Sequence, residues 1–181
     1  MGVPRLFKYI CEKYPDVSTE IQTGEFHISV NNLYIDSNAL IHKAAQIVFN
    51  YGNYKTYLSS PSKLSYKEQI TVLFEIFWEE LIKIINSMSP KNILYIAIDG
   101  CAPCAKQAQQ RQRRFIARKN NSSSCSFDSC NISPGTVFMW ELTKYIKFSI
   151  RKSFKDHPNL FHNKLEVIFL HEIMKVIHHF L

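Results

Sequence analysis

The chain has 181 residues, of which 46% are hydrophobic and 13% aromatic, and its formal net charge is +7 at pH 7 with histidine neutral. This apolar fraction excludes a disordered tail and is enough for one folded domain with a buried core. The basic balance favours an anionic partner, either a nucleic acid or a membrane surface. Because no apolar stretch is long enough to span a bilayer and the amino terminus lacks a signal-peptide apolar region, we expect a soluble intracellular protein without a membrane partner.

The first half of the chain alternates between helical and strand patterns. Apolar spacing predicts a helix over residues 4–14 and a short strand over residues 27–30. Residues 33–36 form a short apolar run closed by an acid, which is typical of a buried strand, and residues 39–49 follow as a helix. Residues 51–66 are polar and contain glycine and proline, so we expect a flexible loop there.

The second half continues the alternation. Residues 67–88 carry apolar side chains at helical spacing and predict the strongest helix of the chain. Residues 93–98 predict a second strand, closed by Asp99, and residues 103–119 predict a basic helix. A serine-rich stretch within residues 120–131 predicts a second flexible loop.

The last part of the chain is expected to hold one more helix and one more strand. Thr136 follows a Ser-Pro-Gly turn and is placed to cap the helix that begins after it. Residues 165–169 predict a third strand, and the tail from His171 carries a helical pattern. Strands that alternate with long helices indicate an α/β fold in one domain over residues 1–181, with a mainly parallel sheet flanked by helices.

Two of the predicted strands end in aspartate, at Asp36 and Asp99. Ligands of open α/β sheets bind beyond the carboxyl ends of the strands, so both carboxylates reach one crevice if the strands are parallel neighbours. Two like charges held together are unfavourable unless a cation bridges them, and hard oxygen ligands favour Mg²⁺ or Mn²⁺. Such metals commonly support phosphodiester hydrolysis. The alternative is that each aspartate only starts a turn or caps a helix.

A cationic stripe is predicted on the helix after Asp99. The stretch from Lys106 to Lys119 is rich in basic residues and contains no acid. Four of its side chains lie within one helical arc of about 100° and are of the types that hold a terminal phosphate, namely Lys106, Gln110, Arg113 and Arg114. The amino end of the same helix also favours a phosphate. The alternative is a generic solvated basic surface.

His42 lies six residues after Asp36, in the first turns of the predicted helix. There it is placed to stack on a base or to hydrogen-bond a phosphate. A lone histidine is more often a structural or surface residue, so spacing alone leaves both interpretations open.

The five cysteines allow a different kind of site. An odd number in a chain without an export signal indicates reduced thiols. Cys101 and Cys104 form one close pair, and Cys125 and Cys130 form another, so the four thiolates could together hold zinc. Incidental cysteines are the more common explanation of such spacing.

Four segments form a series along most of residues 1–139: MGVPRLFKYICEKYP, NLYIDSNALIH, AIDGCAPCAKQAQQRQRRF and FDSCNISPGTVFM. In this order they resemble the Xrn-type 5′→3′ exoribonucleases, which are related to the flap-endonuclease and PIN-like nucleases. The third segment is long and specific. The resemblance covers the candidate carboxylates, the histidine and the cationic stripe.

The resemblance implies a PIN/flap-endonuclease-like α/β fold and divalent-metal-dependent hydrolysis of single-stranded RNA from a 5′-monophosphate end. It implies that Asp36 and Asp99 bind Mg²⁺ or Mn²⁺ and that His42 stacks near the first nucleotide. The same likeness assigns the 5′-monophosphate pocket to Lys106, Gln110, Arg113 and Arg114.

The carboxyl end departs from the pattern of that family. The family follows its third strand with a Gly-rich segment that supplies two metal-site glutamates, and later with an Asp-x-Asp motif. Here Glu172 lies near the expected place, but the Gly-flanked pair and the later aspartates are absent. We therefore expect a truncated, amino-terminal portion of such a domain, with a sheet edge that a protein partner covers. Two functions stay open: an exoribonuclease, or a catalytically incomplete protein that binds 5′-phosphorylated RNA or docks on a partner.

Overall fold

A computed structural model describes residues 5–18, 28–54, 64–120, 127–156, 165–169 and 172–175 of the chain. Within these ranges the fold has α-helices and β-strands in the following order: α1 (Leu6–Lys13), β1 (Asn32–Asp36), α2 (Asn38–Val48), α3 (Tyr66–Met88), β2 (Ile93–Ala97), α4 (Cys104–Asn120), α5 (Val137–Asp156), β3 (Glu166–Phe169) and β4 (Glu172–Lys175). Short 3₁₀ turns occupy Pro15–Val17, Gly52–Tyr54 and Ser129–Asn131. None of the helices in the described part of the chain is long and apolar enough to cross a membrane.

The sheet has the strand order β1-β2-β3-β4. Strands β1, β2 and β3 pair in parallel, and β4 pairs antiparallel with β3. The predicted α/β fold with a mainly parallel sheet is therefore confirmed. Asp36, the last residue of β1, lies opposite Ala97, the last residue of β2. The carboxyl ends of these two strands thus meet at one edge of the sheet.

One face of the sheet forms the hydrophobic core with helices α2, α3 and α5. Buried residues alternate with exposed or half-buried ones along each strand, as the two-residue period of a strand requires. The buried strand residues are Ile35, Leu94, Ile96, Val167 and Phe169. They join the buried residues of the three helices in a single cluster. On the opposite face Tyr34 is 65% exposed and its ring centroid lies 6.0 Å from that of Tyr95. Asp36 follows Tyr34 by two residues and therefore points to the same face.

The long helix α3 begins with a reciprocal cap. The backbone N–H of Ser65 donates to a carboxylate oxygen of Glu68 at 2.7 Å, and the backbone N–H of Glu68 donates to the hydroxyl of Ser65 at 3.4 Å. Such a capping box satisfies two of the free N–H groups at a helix start. The helix ends at Ser89, which has a left-handed conformation with φ of 36°. Its fully buried residues Phe77 and Leu81 lie one turn apart and face the core.

Two predicted elements are wrong. The tail from residue 171 was expected to be helical, but Glu172–Lys175 forms strand β4, because it pairs with the edge of β3 and satisfies the backbone groups there. The strand expected over residues 27–30 is not formed by residues 28–30. The backbone N–H groups of Ile28 and Val30 instead donate to the carbonyls of Ser87 and Met88 at the end of α3.

The two expected loops are only partly described, since residues 55–63 and 121–126 lie outside the described ranges. The stretch after the second gap is anchored in the core. Phe127 is buried and stacks on Phe49, with 4.6 Å between their ring centroids. The predicted cap at Thr136 is confirmed, because its hydroxyl accepts the backbone N–H of Met139 at 3.3 Å.

Candidate functional site

The two strand-end aspartates lie at the same edge of the sheet. Asp36 closes β1, and Asp99 comes two residues after Ala97, the residue that pairs with Asp36. Both side chains are exposed. Parallel neighbouring strands therefore deliver two solvent-accessible carboxylates to the crevice where ligands of such sheets bind.

Asn38, the first residue of α2, connects the two strand ends. Its backbone N–H donates to Oδ1 of Asp36 at 3.2 Å, and its own Oδ1 accepts the backbone N–H of Asp99 at 3.0 Å. The backbone N–H of Ser37 donates to the carbonyl of Ala97 at 2.9 Å, which continues the pairing of the strands past their ends. Sequence reasoning missed Asn38. The signal was an amide side chain two residues after a strand-end aspartate, where Asn commonly caps a turn or a helix.

His42 lies on α2 one turn after Asn38 and is half-buried. Burial lowers the pKa of its imidazole below the usual 6.5, while the negative charge of Asp99 acts in the opposite direction. His42 is therefore within electrostatic reach of Asp99. The lowered pKa favours the neutral ring near pH 7, which suits stacking and hydrogen bonding rather than a permanent positive charge.

Helix α4 starts at Cys104, five residues after Asp99. Lys106 and Gln110 lie one turn apart on it, and both are half-buried. Arg113 and Arg114 belong to the same helix, but their side chains lie outside the described part of the structure. The four predicted phosphate ligands thus share one helix, and their joint approach to a phosphate stays a prediction.

A pocket of about 530 Å³ opens beside Asp99. One wall comes from the chain just after β2 and the other from the turn before α5 and its first two turns. Besides Asp99, the lining includes Cys101, Thr136, Val137, Met139, Trp140 and Thr143. The Nζ of Lys144 lies over the indole ring of Trp140, 3.3 Å from the ring centroid. Sequence reasoning did not identify this pocket, because its two walls lie about 35 residues apart in the chain and only the fold joins them.

The donor set at the carboxylate edge fits a hard divalent cation in part. Asp36 and Asp99 supply oxygen ligands, which Mg²⁺ and Mn²⁺ prefer, and Mg²⁺ commonly keeps several waters when only one or two carboxylates bind it. No group of three or more His, Cys, Asp or Glu side chains that could hold a metal occurs within the described ranges. The side chain of Glu172 is outside those ranges.

The four-thiolate zinc hypothesis is not tested by the structure, because Cys125 lies outside the described residues. Cys101 and Cys104 are exposed, and Cys130 is half-buried within the 3₁₀ turn Ser129–Asn131. Cys101 also lines the pocket beside Asp99.

Residues 1–175 match the family described as "XRN 5′-3′ exonuclease N-terminus". The chain belongs to this family. Its site edge, built from Asp36, Asn38, His42 and Asp99, therefore lies in the amino-terminal region of an XRN-type nuclease domain.

Individual relatives agree with that assignment to the XRN family. The 5′-3′ exoribonuclease 1 of Schizosaccharomyces pombe is 31% identical over 182 residues, a match that covers 93% of this chain and 13% of the relative. The protein of the same name from Saccharomyces cerevisiae is 29% identical, with 99% of this chain and 12% of the relative covered. The human 5′-3′ exoribonuclease 1 is 32% identical over 83% of this chain and 9% of its own length. The chain thus spans about an eighth of the length of the yeast relatives.

Proposed function

We propose that this chain carries the 5′-phosphate-binding and part of the metal-binding machinery of a 5′→3′ exoribonuclease acting on single-stranded RNA. The observation that carries the proposal is the arrangement of Asp36 and Asp99 at one sheet edge, held through Asn38. Family membership supports it, since nucleases of this family generally depend on divalent metals. The relatives that match this region are named for action on RNA from the 5′ end.

In this proposal Asp36 and Asp99 hold Mg²⁺ or Mn²⁺. When bound, such a metal lowers the pKa of a water and offsets charge that builds on the phosphate oxygens during hydrolysis. The two carboxylates themselves orient the cation at the strand ends, while Asn38 bonds the carboxylate of Asp36 and the backbone N–H of Asp99.

The cationic stripe on α4 fixes the position of the substrate. Lys106 supplies a point charge and Gln110 a neutral donor, while the arginines supply bidentate contacts to a phosphate, so the proposed pocket consists of Lys106, Gln110, Arg113 and Arg114. A 5′-monophosphate carries more charge than an internal phosphodiester, so such a cluster prefers a phosphorylated end. In the proposal the ring of His42 stacks on the first base, and its half-burial and electrostatic coupling to Asp99 support this role.

A second candidate function is binding without catalysis. It is favoured by the donor set, because the described residues contain no group of three or more His, Cys, Asp or Glu side chains that could hold a metal. In that case the chain holds 5′-phosphorylated RNA or docks on a protein partner that covers the open sheet edge.

The test measures hydrolysis and binding on the same RNA. The purified chain is incubated with Mg²⁺ and a 5′-monophosphorylated single-stranded RNA, alongside the substitutions Asp36→Asn and Asp99→Asn. Asp156→Asn is the matched control, because Asp156 is exposed at the far end of α5, about 20 Å along the helix from the pocket residue Thr143. The nuclease proposal expects shortening from the 5′ end that both site variants abolish and the control retains.

Binding separates the two candidates. An inert parent that still binds 5′-phosphate RNA more tightly than 5′-hydroxyl RNA supports the binding function. A parent that neither hydrolyses RNA nor distinguishes the two ends contradicts both.

A further inference from the structure

Asp99 borders two sites at once. It stands at the carboxylate edge beside Asp36, and it also lines the pocket of about 530 Å³ formed with the start of α5. Pockets that bind small organic ligands commonly fall between about 300 and 1,000 Å³. A group that fills this one lies directly next to a candidate metal-binding carboxylate.

Trp140 is the most unusual residue in the lining of this pocket. It is 58% exposed, although tryptophan is highly buried on average. The residues of α5 that pack into the core form a separate stripe, which consists of Phe138, Met139, Leu142, Ile146, Ser149, Ile150 and Ser153. The core of the described fold therefore gives no reason for a large aromatic side chain at position 140.

Lys144, one turn further along α5, places its ammonium group over the indole. With a cation 3.3 Å from the ring centroid on one face, the exposure of Trp140 must come mainly from the other face and the ring edge. A stacking ring with an adjacent positive charge is the combination by which proteins hold single-stranded nucleic acid: the ring stacks on a base, and the cation offsets a backbone phosphate.

We infer that this pocket is a nucleobase-binding subsite in which Trp140 stacks on a base of the RNA strand and Lys144 offsets the charge of a neighbouring phosphate. The inference rests on the proposed function, because it takes the strand at Asp99 to be RNA. It adds a contact that is separate from the 5′-phosphate pocket on α4.

The hydroxyl groups in the lining predict weak discrimination between bases. Thr143 donates its hydroxyl proton to the carbonyl of Met139 at 2.7 Å, and Thr136 donates to carbonyls in the preceding turn. Both hydroxyl protons are therefore already donated to acceptors within the chain, so they are not available to a base. The neighbouring lining residues Val137 and Met139 are apolar. Because every base has a stacking face, such a site accepts any base.

Tryptophan fluorescence tests the stacking contact directly, since the chain has two tryptophans. Trp78→Phe leaves Trp140 as the emitter, and Trp140→Phe leaves Trp78, which is half-buried against the core. Each protein is titrated with 5′-phosphorylated single-stranded RNA in EDTA, so that metal-dependent hydrolysis cannot consume the ligand. We expect RNA to quench Trp140 emission in the first protein and to leave Trp78 emission unchanged in the second.

Affinity supplies the second readout. Trp140→Ala is expected to weaken binding about tenfold, as for loss of one base–aromatic stack, whereas Trp140→Phe retains most of the affinity. The loss is expected to be similar for oligo-U, oligo-C and oligo-A. Circular dichroism of each variant checks that it is folded. We expect the substitutions at position 140 to fold, because Trp140 is exposed.

The outcomes distinguish this inference from the proposed function. RNA that binds with a 5′-phosphate preference, yet leaves Trp140 emission and the affinity of Trp140→Ala unchanged, overturns the stacking subsite alone. A folded parent that binds no RNA overturns the proposed function and the subsite together. A loss confined to one base overturns the base-tolerant form of the subsite.

Discussion

The side-chain oxygen of Asn38 accepts the backbone N–H of Asp99 at 3.0 Å, across two strands that are 61 residues apart in the chain. The backbone N–H of the same Asn38 donates to the carboxylate of Asp36. One amide residue thus touches both candidate metal ligands, one through its side chain and the other through its backbone. Asn38 is therefore a positioning residue: it holds the strand ends but supplies no proposed ligand of its own.

Replacing this amide tests its positioning role. Asn38→Ala removes the acceptor of the Asp99 N–H but leaves the backbone bond to Asp36, so we expect Asp99 to be held less firmly. Mn²⁺ affinity, measured by electron paramagnetic resonance, should fall several-fold, while the free energy of unfolding drops by only about 1 kcal/mol, the usual net value of one hydrogen bond.

The control for Asn38 lies at the other end of the sheet. Asn92 is exposed just before β2 begins, so Asn92→Ala should leave Mn²⁺ affinity unchanged. Equal loss of Mn²⁺ affinity in both variants would show that Asn38 has no specific link to the carboxylates.

An ion pair between α2 and α3 makes the stability of the fold depend on pH. Glu80 accepts hydrogen bonds from Lys43 and from Lys83, and these bonds, with that of Lys43 the stronger influence, lower the pKa of its carboxyl below the usual 4.5. A carboxylate with a lowered pKa in the folded state stabilises the fold above the unfolded-state pKa, and this contribution is lost as the pH falls through the folded-state pKa. Glu80→Gln should therefore cost about 1 kcal/mol at pH 7 and progressively less below pH 4.5.

Urea denaturation of the parent and of Glu80→Gln from pH 7 to pH 3 measures how the difference between their free energies of unfolding shrinks. The exposed pair Lys8–Glu12, 3.7 Å apart, supplies the comparison, since Glu12→Gln should change stability little at any pH. A Glu80→Gln cost that stays constant down to pH 3 would mean that the charge of Glu80 is not what stabilises the fold.

The core prediction concerns Phe77 in the middle of α3, which is completely buried. Phe77→Ala leaves a cavity in the hydrophobic core cluster, and such changes cost about 3–5 kcal/mol. Denaturant unfolding should show this loss, while Glu79→Ala, two residues away and exposed, should stay within about 0.5 kcal/mol of the parent. Similar small changes in both variants would argue that α3 does not pack on the core as described.

Sequence periodicity predicted the parts of the fold whose local pattern and tertiary role agree. Helix α3 was predicted to within one residue of its start, because its apolar side chains follow helical spacing and Pro90 marks its end. Strand β4 was not foreseen. A four-residue segment with two apolar residues is compatible with helix or strand, and pairing with β3 decided in favour of strand.

The sequence likewise predicted some residues of the candidate site and missed others. The aspartates were recognisable because each closes an apolar strand, and their shared edge follows from parallel pairing. Trp140 was not recognisable, because a tryptophan in an amphipathic helix is usually part of the core. Only the packing of α5 shows that position 140 lies outside the buried stripe and beside Asp99.

The last prediction concerns the cationic stripe on α4. Lys106→Ala removes a half-buried cation from the proposed 5′-phosphate pocket, so affinity for 5′-monophosphorylated RNA should fall about five- to tenfold. Affinity for the same RNA with a 5′-hydroxyl should change little, because that end offers no extra phosphate. The slope of log affinity against log salt concentration should also become shallower, by the amount expected for the loss of about one phosphate contact.

Lys91 is the matched control for Lys106, because it is exposed before the amino end of β2, at the opposite edge of the sheet from Asp99. Lys91→Ala lowers the net charge by the same amount, so a general effect of charge should weaken both RNA ends equally in both variants. Anisotropy titrations with the two RNA ends separate the possibilities. Only a loss that is specific to Lys106 and to the 5′-phosphate is consistent with a phosphate pocket on α4.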